Sequence, residues 1–359
     1  MRLKTQGVAT VVPLSTRRRT RATPTQKKVR TGFSGRIFFQ SCPSGSISDV
    51  ESYFFDMPDY EKERLRFAIS PAHAKLSIVF DKSIYPSLSR FLRHIEACNS
   101  ARLPGNRRPF FCAQKQIGWI SPEIADLLEG LGLKDETGFG VASGQELFPL
   151  SQTLAQQGVY ASHNEPFDVR NDLGVVVGQV DRGAIPVLGV AAAGVHLNGL
   201  VEDRPSGSML WIARRSMTKR LDPGKLDHLV AGGMSAGLDP HTTVIKEAKE
   251  EAGIPESLAG NAQPVSRLQY AMERPEGLRR DVLHCYDLIL PRDFTPIAED
   301  GEVESFHLLP LTEVFARVRD TDDFKFNVNL VLIDLFIRRG LFTPDEALIL
   351  QNALTRKTL

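Results

Sequence analysis

Apolar residues between about 87 and 180 predict a mixture of short helices and strands. Phe91, Ile95 and Cys98 fall at helical spacing, whereas residues 110–120 have the pattern of two short strands. Ser121, followed by Pro and Glu, is typical of a helix N-terminus. The pattern also predicts helices over 123–131 and 151–157 and a strand over 175–180. Residues 86–180 are therefore predicted to form a small α+β domain.

Beyond residue 181 the spacing becomes more strand-like, with a few amphipathic helices between the strands. The pattern predicts strands over 185–197, 209–214, 229–233, 265–272, 281–290 and 302–309, and helices over 242–252, 311–318 and 327–338. Asn198 and Gly199 form a dipeptide typical of hairpin turns, and residues 221–225 form a Pro/Gly turn. This order predicts a mixed α/β/α sandwich over residues 181–345. The whole chain is thus expected to be an α+β protein.

The first 85 residues have a different composition. Residues 1–48 hold ten basic side chains, and the first acidic residue is Asp49. We predict a basic, largely disordered extension over residues 1–85. Its high content of Arg, Thr and Ser is typical of an organelle transit peptide, which would place the protein in a plastid or mitochondrion. An unstructured tail on a cytoplasmic protein is the alternative, and a nucleic-acid-binding arm is a third reading.

The charge distribution changes what the overall composition suggests. The formal net charge is +1, but residues 49–359 carry 34 basic and 43 acidic side chains. The net negative charge of residues 49–359 argues against nucleic acid as the main partner. Four scattered cysteines suggest neither a disulfide framework nor a structural zinc site, and no apolar run is long enough for a membrane span. The sequence leaves the oligomeric state open.

The predicted helix over 242–252 carries three glutamates on one side. At about 100 degrees per residue, Glu247, Glu250 and Glu251 share an arc of about 100 degrees. Like charges at this spacing repel, whereas a divalent cation would bind them. The alternative is a solvated helix face on which Lys246 pairs with Glu250.

The residues around this helix resemble the Nudix box. Gly232 is followed fourteen positions later by Lys246, the three glutamates and then Gly253 and Ile254. By this resemblance, the chain is expected to hydrolyse a small-molecule diphosphate with Mg²⁺ or Mn²⁺ held by Glu247, Glu250 and Glu251. Lys246 is expected to orient a glutamate, where the family usually has Arg. The box also expects a glutamate where this chain has Leu238, which leaves a catalytically weakened binding module as an alternative.

The resemblance extends to a subfamily of Nudix hydrolases related to thiamine pyrophosphokinase. It rests on the stretches 210–216, 223–227, 280–281, 290–291, 300–303 and 324–327, together with residues 91–99 and the segment from Arg170 onward. In that family an uncharacterised α+β domain precedes the Nudix domain. The resemblance implies hydrolysis of a damaged thiamine diphosphate analogue to the monophosphate, with 8-oxo-dGDP-type nucleoside diphosphates as the alternative substrates.

Three further residues are candidates for the same site. Glu302 occupies the position at which many Nudix proteins have an additional acid for metal binding or water activation. Arg214 and Arg215 end a predicted strand and are candidates, with Lys246, for binding substrate phosphate. Because strand neighbours face opposite ways, we expect one of the two arginines to be structural.

Overall fold

The computed structural model describes residues 37–39, 67–69, 86–171, 173–202, 207–298 and 301–355. The chain divides into two units, residues 1–85 and 86–359. In the first unit, strands β1 (Ile37–Phe39) and β2 (Phe67–Ile69) pair in parallel. The remainder of the predicted basic extension lies outside the described residues.

The second unit begins with a helix and a small set of strands. Its first elements are α1 (Pro86–Cys98), β3 (Arg108–Cys112), β4 (Lys115–Ile120), α2 (Pro122–Gly130), β5 (Lys134–Asp135), β6 (Gly138–Val141), α3 (Leu147–Gln156), β7 (Pro166–Arg170) and β8 (Val176–Asp181). Four strands form a sheet in the order β4-β3-β6-β5, and β7 pairs with β8 in an antiparallel hairpin. The predicted strand pair over 110–120 and the helix beginning after Ser121 are confirmed.

The second half of this unit is built around a larger sheet. Its elements are α4 (Ala184–Leu188), β9 (Ala191–Val201), β10 (Met209–Arg215), β11 (Leu226–His228), β12 (Val230–Gly233), α5 (Pro240–Ala252), α6 (Glu256–Ala259), β13 (Gln263–Arg274), β14 (Gly277–Ile289), β15 (Val303–Pro310), α7 (Leu311–Asp320), α8 (Val328–Arg338) and α9 (Pro344–Thr355). Five strands follow the order β11-β10-β9-β14-β13, while β12 pairs with β9 and β15 pairs with β10. None of the helices in the described part of the chain is long and apolar enough to cross a bilayer.

Helices cover both faces of the larger sheet. On one face, Val195 and Leu197 of β9 share a buried apolar cluster with Val244 and Ala248 of α5. The alternate residue, Asn198, faces the opposite side and donates to Asp287, at 2.8 Å from Nδ2 to Oδ1. Asp287 in turn pairs with Arg338 and so connects this face to α8. The predicted α/β/α sandwich is therefore confirmed.

Helix α1 packs against the C-terminal helices. The Phe91 ring lies 4.9 Å from the Phe315 ring of α7 and 5.0 Å from the Phe342 ring, and the buried His94 contacts the Val318 carbonyl through Nε2, at 2.8 Å. This helix thus packs outside the 86–180 region to which its sequence position assigns it. The predicted domain boundaries near residues 180 and 345 stay predictions.

Two local expectations around β9 are wrong. The segment 185–188, predicted as strand, lies in helix α4, which ends at Gly189 with φ +57°. A Cβ at Gly189 would lie 2.2 Å from the Trp119 carbonyl oxygen. Asn198 and Gly199 form no hairpin turn but lie inside β9, where Leu229 packs so closely that a Cβ at Gly199 would lie 2.2 Å from its Cδ2. Close packing, not turn geometry, thus accounts for this glycine.

Candidate functional site

Local capping interactions define both ends of α5. The Asp239 side chain accepts hydrogen bonds from the backbone N–H groups of His241 (2.9 Å) and Thr242 (3.1 Å), and Pro240 occupies the first turn. Gly253 ends the helix in the left-handed region, at φ +62°. The capped helix packs Glu247 and Glu251 against strand β12.

Two of the three glutamates lie against β12. Glu247 covers Gly232 so closely that a Cβ on this glycine would lie 2.3 Å from the glutamate Cδ. Glu251 is 7% exposed, and its Oε2 accepts a hydrogen bond from the Ala231 backbone N–H at 2.8 Å. Burial raises the pKa of both carboxyl groups, with partial compensation from Lys246 at Glu247 and from the Ala231 N–H at Glu251. The short residues of β12 thus make room for two desolvated carboxylates.

Lys246 bridges two glutamates of the same helix. Its Nζ lies 3.1 Å from Glu247 Oε1 and 2.6 Å from Glu250 Oε2. The ion pair of the alternative sequence interpretation is therefore present, but it coexists with the convergence of Glu247 and Glu251 on β12. One lysine leaves the three carboxylates with an excess of negative charge.

This donor set fits a divalent cation. Carboxylate oxygens are the ligands that Mg²⁺ and Mn²⁺ prefer, and a cation would offset both the burial of Glu251 and the repulsion among the acids. Any side chain larger than that of glycine at position 232 would occupy the space that the Glu247 carboxylate fills. The assignment of Glu247, Glu250 and Glu251 as metal ligands stays a prediction, which this geometry supports.

Glu302 shares a small cavity with Glu251. Both carboxylates line this cavity, and the Lys219 ammonium contacts the Glu302 carboxylate. The Glu302 side chain is 48% exposed, whereas Glu251 is almost fully buried. The acid that the sequence suggests for this position therefore lies near Glu251 of α5, here called the glutamate helix. Its role in metal binding or water activation stays a prediction. Lys219, which sequence reasoning did not single out, adds a cation to the same cavity.

Arg214 and Arg215 have different surroundings. The Arg215 guanidinium is buried, with its Nη1 2.7 Å from Asp227 Oδ2 and its Nη2 2.8 Å from the Leu221 carbonyl oxygen. Arg214 donates to the Gly224 carbonyl at 2.9 Å. Arg214 lines a separate open cavity of about 430 Å³, together with Met217, Pro223, Gly224, Lys225, Leu226 and Asp323. Arg215 alone of the two lines the cavity of Glu251 and Glu302, and there it holds a buried acid and a turn.

A buried polar cluster beside this cavity was not anticipated from the sequence. The Nδ1 atoms of His196 and His228 lie 3.0 Å apart, and Asp227 adjoins them, so that the three residues have the spacing of a metal site. Asp227 also lies 3.6 Å from the Lys325 ammonium. Burial alone would raise the pKa of Asp227, but Lys325 and Arg215 hold it well below its usual range. A cation here would meet two positive charges that already neutralise the carboxylate.

The sequence indicated no histidine ligand spacing because His196 and His228 are distant along the chain. Sheet formation brings β9 and β11 together, and burial lowers the pKa of His228 to about 4. The imidazole is therefore neutral near pH 7. The strand order β11-β10-β9, which residue spacing does not encode, was the missing information.

Comparison with known proteins gives matches over the same region. The model of the NUDIX domain family matches residues 195–328. The chain is 39% identical over 226 residues to Nudix hydrolase 20, chloroplastic, of Arabidopsis thaliana, covering 62% of this chain and 54% of that protein. It is 45% identical over 167 residues to Nudix hydrolase 24, chloroplastic, of the same plant, covering 46% of each chain.

A third relative comes from yeast. The uncharacterized protein YJR142W of Saccharomyces cerevisiae is 35% identical over 180 residues, covering 46% of this chain and 52% of that protein. The chain spans about half the length of the curated relatives it matches. Residues 195–328, with the glutamates of α5 packed against β12, are therefore a NUDIX domain in a chain related to Nudix hydrolases.

Proposed function

We propose that the protein is a Nudix hydrolase that cleaves a small-molecule diphosphate with Mg²⁺ or Mn²⁺. The observation that carries this proposal is the packing of Glu247 and Glu251 against the two central residues of β12, Gly232 and Ala231, with Glu250 one turn away from Glu247. The similarity to two Nudix hydrolases supports the same reaction class.

The reaction adds water to a phosphorus atom and breaks the bond to the bridging oxygen, which leaves a monophosphate and inorganic phosphate. The cation, when bound, neutralises phosphate charge and polarises the attacking water. The chain supplies the ligand carboxylates, with Glu251 fixed by the Ala231 N–H. Glu302, half-exposed across the cavity, is the proposed acceptor of the water proton.

For the substrate, we propose an oxidised or otherwise damaged thiamine diphosphate analogue, which is cleaved to the monophosphate. The support is the resemblance to the subfamily related to thiamine pyrophosphokinase, in stretches outside the glutamate helix, such as 223–227 and 324–327. Nucleoside diphosphates of the 8-oxo-dGDP type are the second candidates. Leu238, in place of an expected acid, supports the alternative of a weakened binding module.

A substrate panel tests this proposal. Phosphate release is measured with Mg²⁺ from thiamine diphosphate, oxythiamine diphosphate and 8-oxo-dGDP, for the wild type and for Glu250→Gln and Glu251→Gln. We expect preferential hydrolysis of the thiamine analogue by the wild type. Preference for 8-oxo-dGDP would shift the substrate assignment, and equal background release by all three proteins would contradict hydrolysis of these compounds.

We further propose that the protein acts in an organelle, with a plastid as the favoured compartment. Two Arabidopsis relatives are named chloroplastic, and residues 1–48 are basic and free of acids. Mass spectrometry of the protein purified from its native compartment tests this idea. A shortened amino terminus is expected, whereas a protein that begins at Met1 in the cytoplasm would contradict it.

A further inference from the structure

The loop between β12 and α5 is held from outside the residues matched to the NUDIX family. Ser235 Oγ donates to Glu165 Oε1 at 2.8 Å, and the Ala236 N–H donates to the Pro166 carbonyl at 2.8 Å. The Gly237 N–H donates to Asp168 Oδ2 at 3.1 Å. Three consecutive residues of the loop therefore bond to one segment at the start of β7.

An aromatic contact adds to these hydrogen bonds. A Cβ at Gly233 would lie 2.7 Å from Cζ of Phe167, so strand β12 ends directly against this ring. The Arg182 guanidinium lies 5.6 Å from the centre of the same ring and also pairs with Glu165 Oε2 at 2.9 Å. The contact surface thus combines a packed ring with two acidic side chains.

The segment that carries these acids is itself rigidly bonded. The buried Asp181 carboxylate accepts hydrogen bonds from Ser162 Oγ (2.7 Å), the Asn164 N–H (2.9 Å) and the Gly183 N–H (2.8 Å). Asp168 is held by Gln179 across the β7-β8 hairpin, at 3.3 Å from Nε2 to Oδ1. Glu165 and Asp168 therefore approach the loop from a preorganised position.

The loop in turn sets the start of the glutamate helix. It runs from Gly233 to Asp239, the N-cap of α5, so its conformation decides how Glu247 and Glu251 meet β12. The sequence pattern expects an acid within this loop, and the chain has Leu238 there. In this protein, acids that bond to the loop come from the β7 segment instead.

We propose that Glu165 and Asp168 are positioning residues of the NUDIX site, which fix the loop 233–239 and through it the geometry of the glutamate helix. The segment that precedes the NUDIX domain then helps to set the geometry of the metal site. This inference rests on the proposed function, but its main readout is metal affinity, which is measurable without any substrate.

The test compares alanine with conservative variants in the full chain. Glu165→Ala and Asp168→Ala remove the acceptors, whereas Glu165→Gln and Asp168→Asn keep an oxygen that can accept from Ser235 or Gly237. Asp126→Ala, at an exposed acid of α2, is the matched control. Mn²⁺ affinity is measured by electron paramagnetic resonance on the free protein, followed by kcat and KM with the best substrate of the panel.

We expect the alanine variants to bind Mn²⁺ more weakly by a factor on the order of ten, which is the effect of losing one ordinary hydrogen bond. The value of kcat should fall similarly while KM changes less than about twofold, and the amide variants and the control should stay near wild type. Wild-type Mn²⁺ affinity in both alanine variants, or amide variants as weak as the alanine ones, would overturn the proposal. A wild type that binds Mn²⁺ but hydrolyses nothing would count against the proposed function alone.

Discussion

At the residue scale, Gly232 and Glu247 determine each other's position. The glycine has no side chain where the carboxylate lies, and the carboxylate is buried as a consequence. A single added carbon therefore acts directly on a proposed metal ligand.

Gly232→Ala is expected to lower Mn²⁺ affinity by at least roughly tenfold, because its Cβ would lie 2.3 Å from Glu247 Cδ and displace the carboxylate. Gly130→Ala is the matched control, since a Cβ there meets nothing within 4 Å. Metal titration of both variants checks this prediction. Equal affinities would show that the position of Glu247 does not matter for the metal.

The buried His228 predicts a pH dependence of stability. Burial lowers its pKa to about 4, so the unfolded chain binds a proton at higher pH than the folded protein does. The stabilisation is therefore complete above pH ~6.5 and is lost as the pH falls toward about 4. The Asp227 and Asp287 carboxylates oppose this lowering of the pKa and the Lys325 ammonium adds to it, but burial has the largest effect.

Thermal unfolding between pH 7.5 and 4.5 measures this effect. The wild-type midpoint should fall on acidification, and the His228→Asn variant should show a shallower fall even if its midpoint is lower throughout. Parallel profiles for the two proteins would show that another group dominates the acid sensitivity.

Sequence reasoning reached the glutamates because they lie within five residues of one helix, where spacing fixes the shared face. It missed Lys219, His196 and Glu165, whose partners lie far away along the chain. Such contacts depend on strand order and loop docking, which residue spacing does not encode. The same limit explains Gly199, whose local dipeptide suggested a turn while its packing partner was Leu229.

At the element scale, Arg215 joins strand β10 to the turn over 221–225. It bonds to the Leu221 and Asp222 carbonyls and to the buried Asp227, whereas its neighbour Arg214 bonds to the Gly224 carbonyl. The prediction that one of these arginines is structural fits Arg215. A role of either arginine in substrate binding stays a prediction.

The pair offers a matched comparison. Arg215→Met is expected to lower the free energy of unfolding by about 3 to 5 kcal/mol, because it leaves the Asp227 carboxylate buried with a weaker set of partners. Arg214→Met should cost less than about 1.5 kcal/mol, since it loses a single bond to a backbone carbonyl. Urea unfolding of both variants measures the difference, and equal losses would contradict the structural assignment of Arg215.

At the scale of the whole molecule, residues 86–359 place two regions side by side that the sequence treats as separate. The β7-β8 hairpin bonds to the loop after β12, and α1 packs against the C-terminal helices. The alternation of strands and helices was sufficient to predict the sandwich, but not these contacts between its flanking segments. The net charge of +1 is likewise a sum of a basic segment over residues 1–48 and an excess of acidic side chains over residues 49–359. This excess of negative charge agrees with a site that binds a cation.

In the proposed site, Glu247, Glu250 and Glu251 hold a cation that is required for diphosphate hydrolysis. Phosphorus NMR of the panel substrates, with Mg²⁺ and with EDTA, tests this requirement in the wild type and in Glu251→Gln. We expect conversion to a monophosphate and phosphate by the wild type, none with EDTA, and a rate at least roughly a hundredfold lower for the variant. Equal conversion by wild type and Glu251→Gln, or conversion that persists in EDTA, would contradict it.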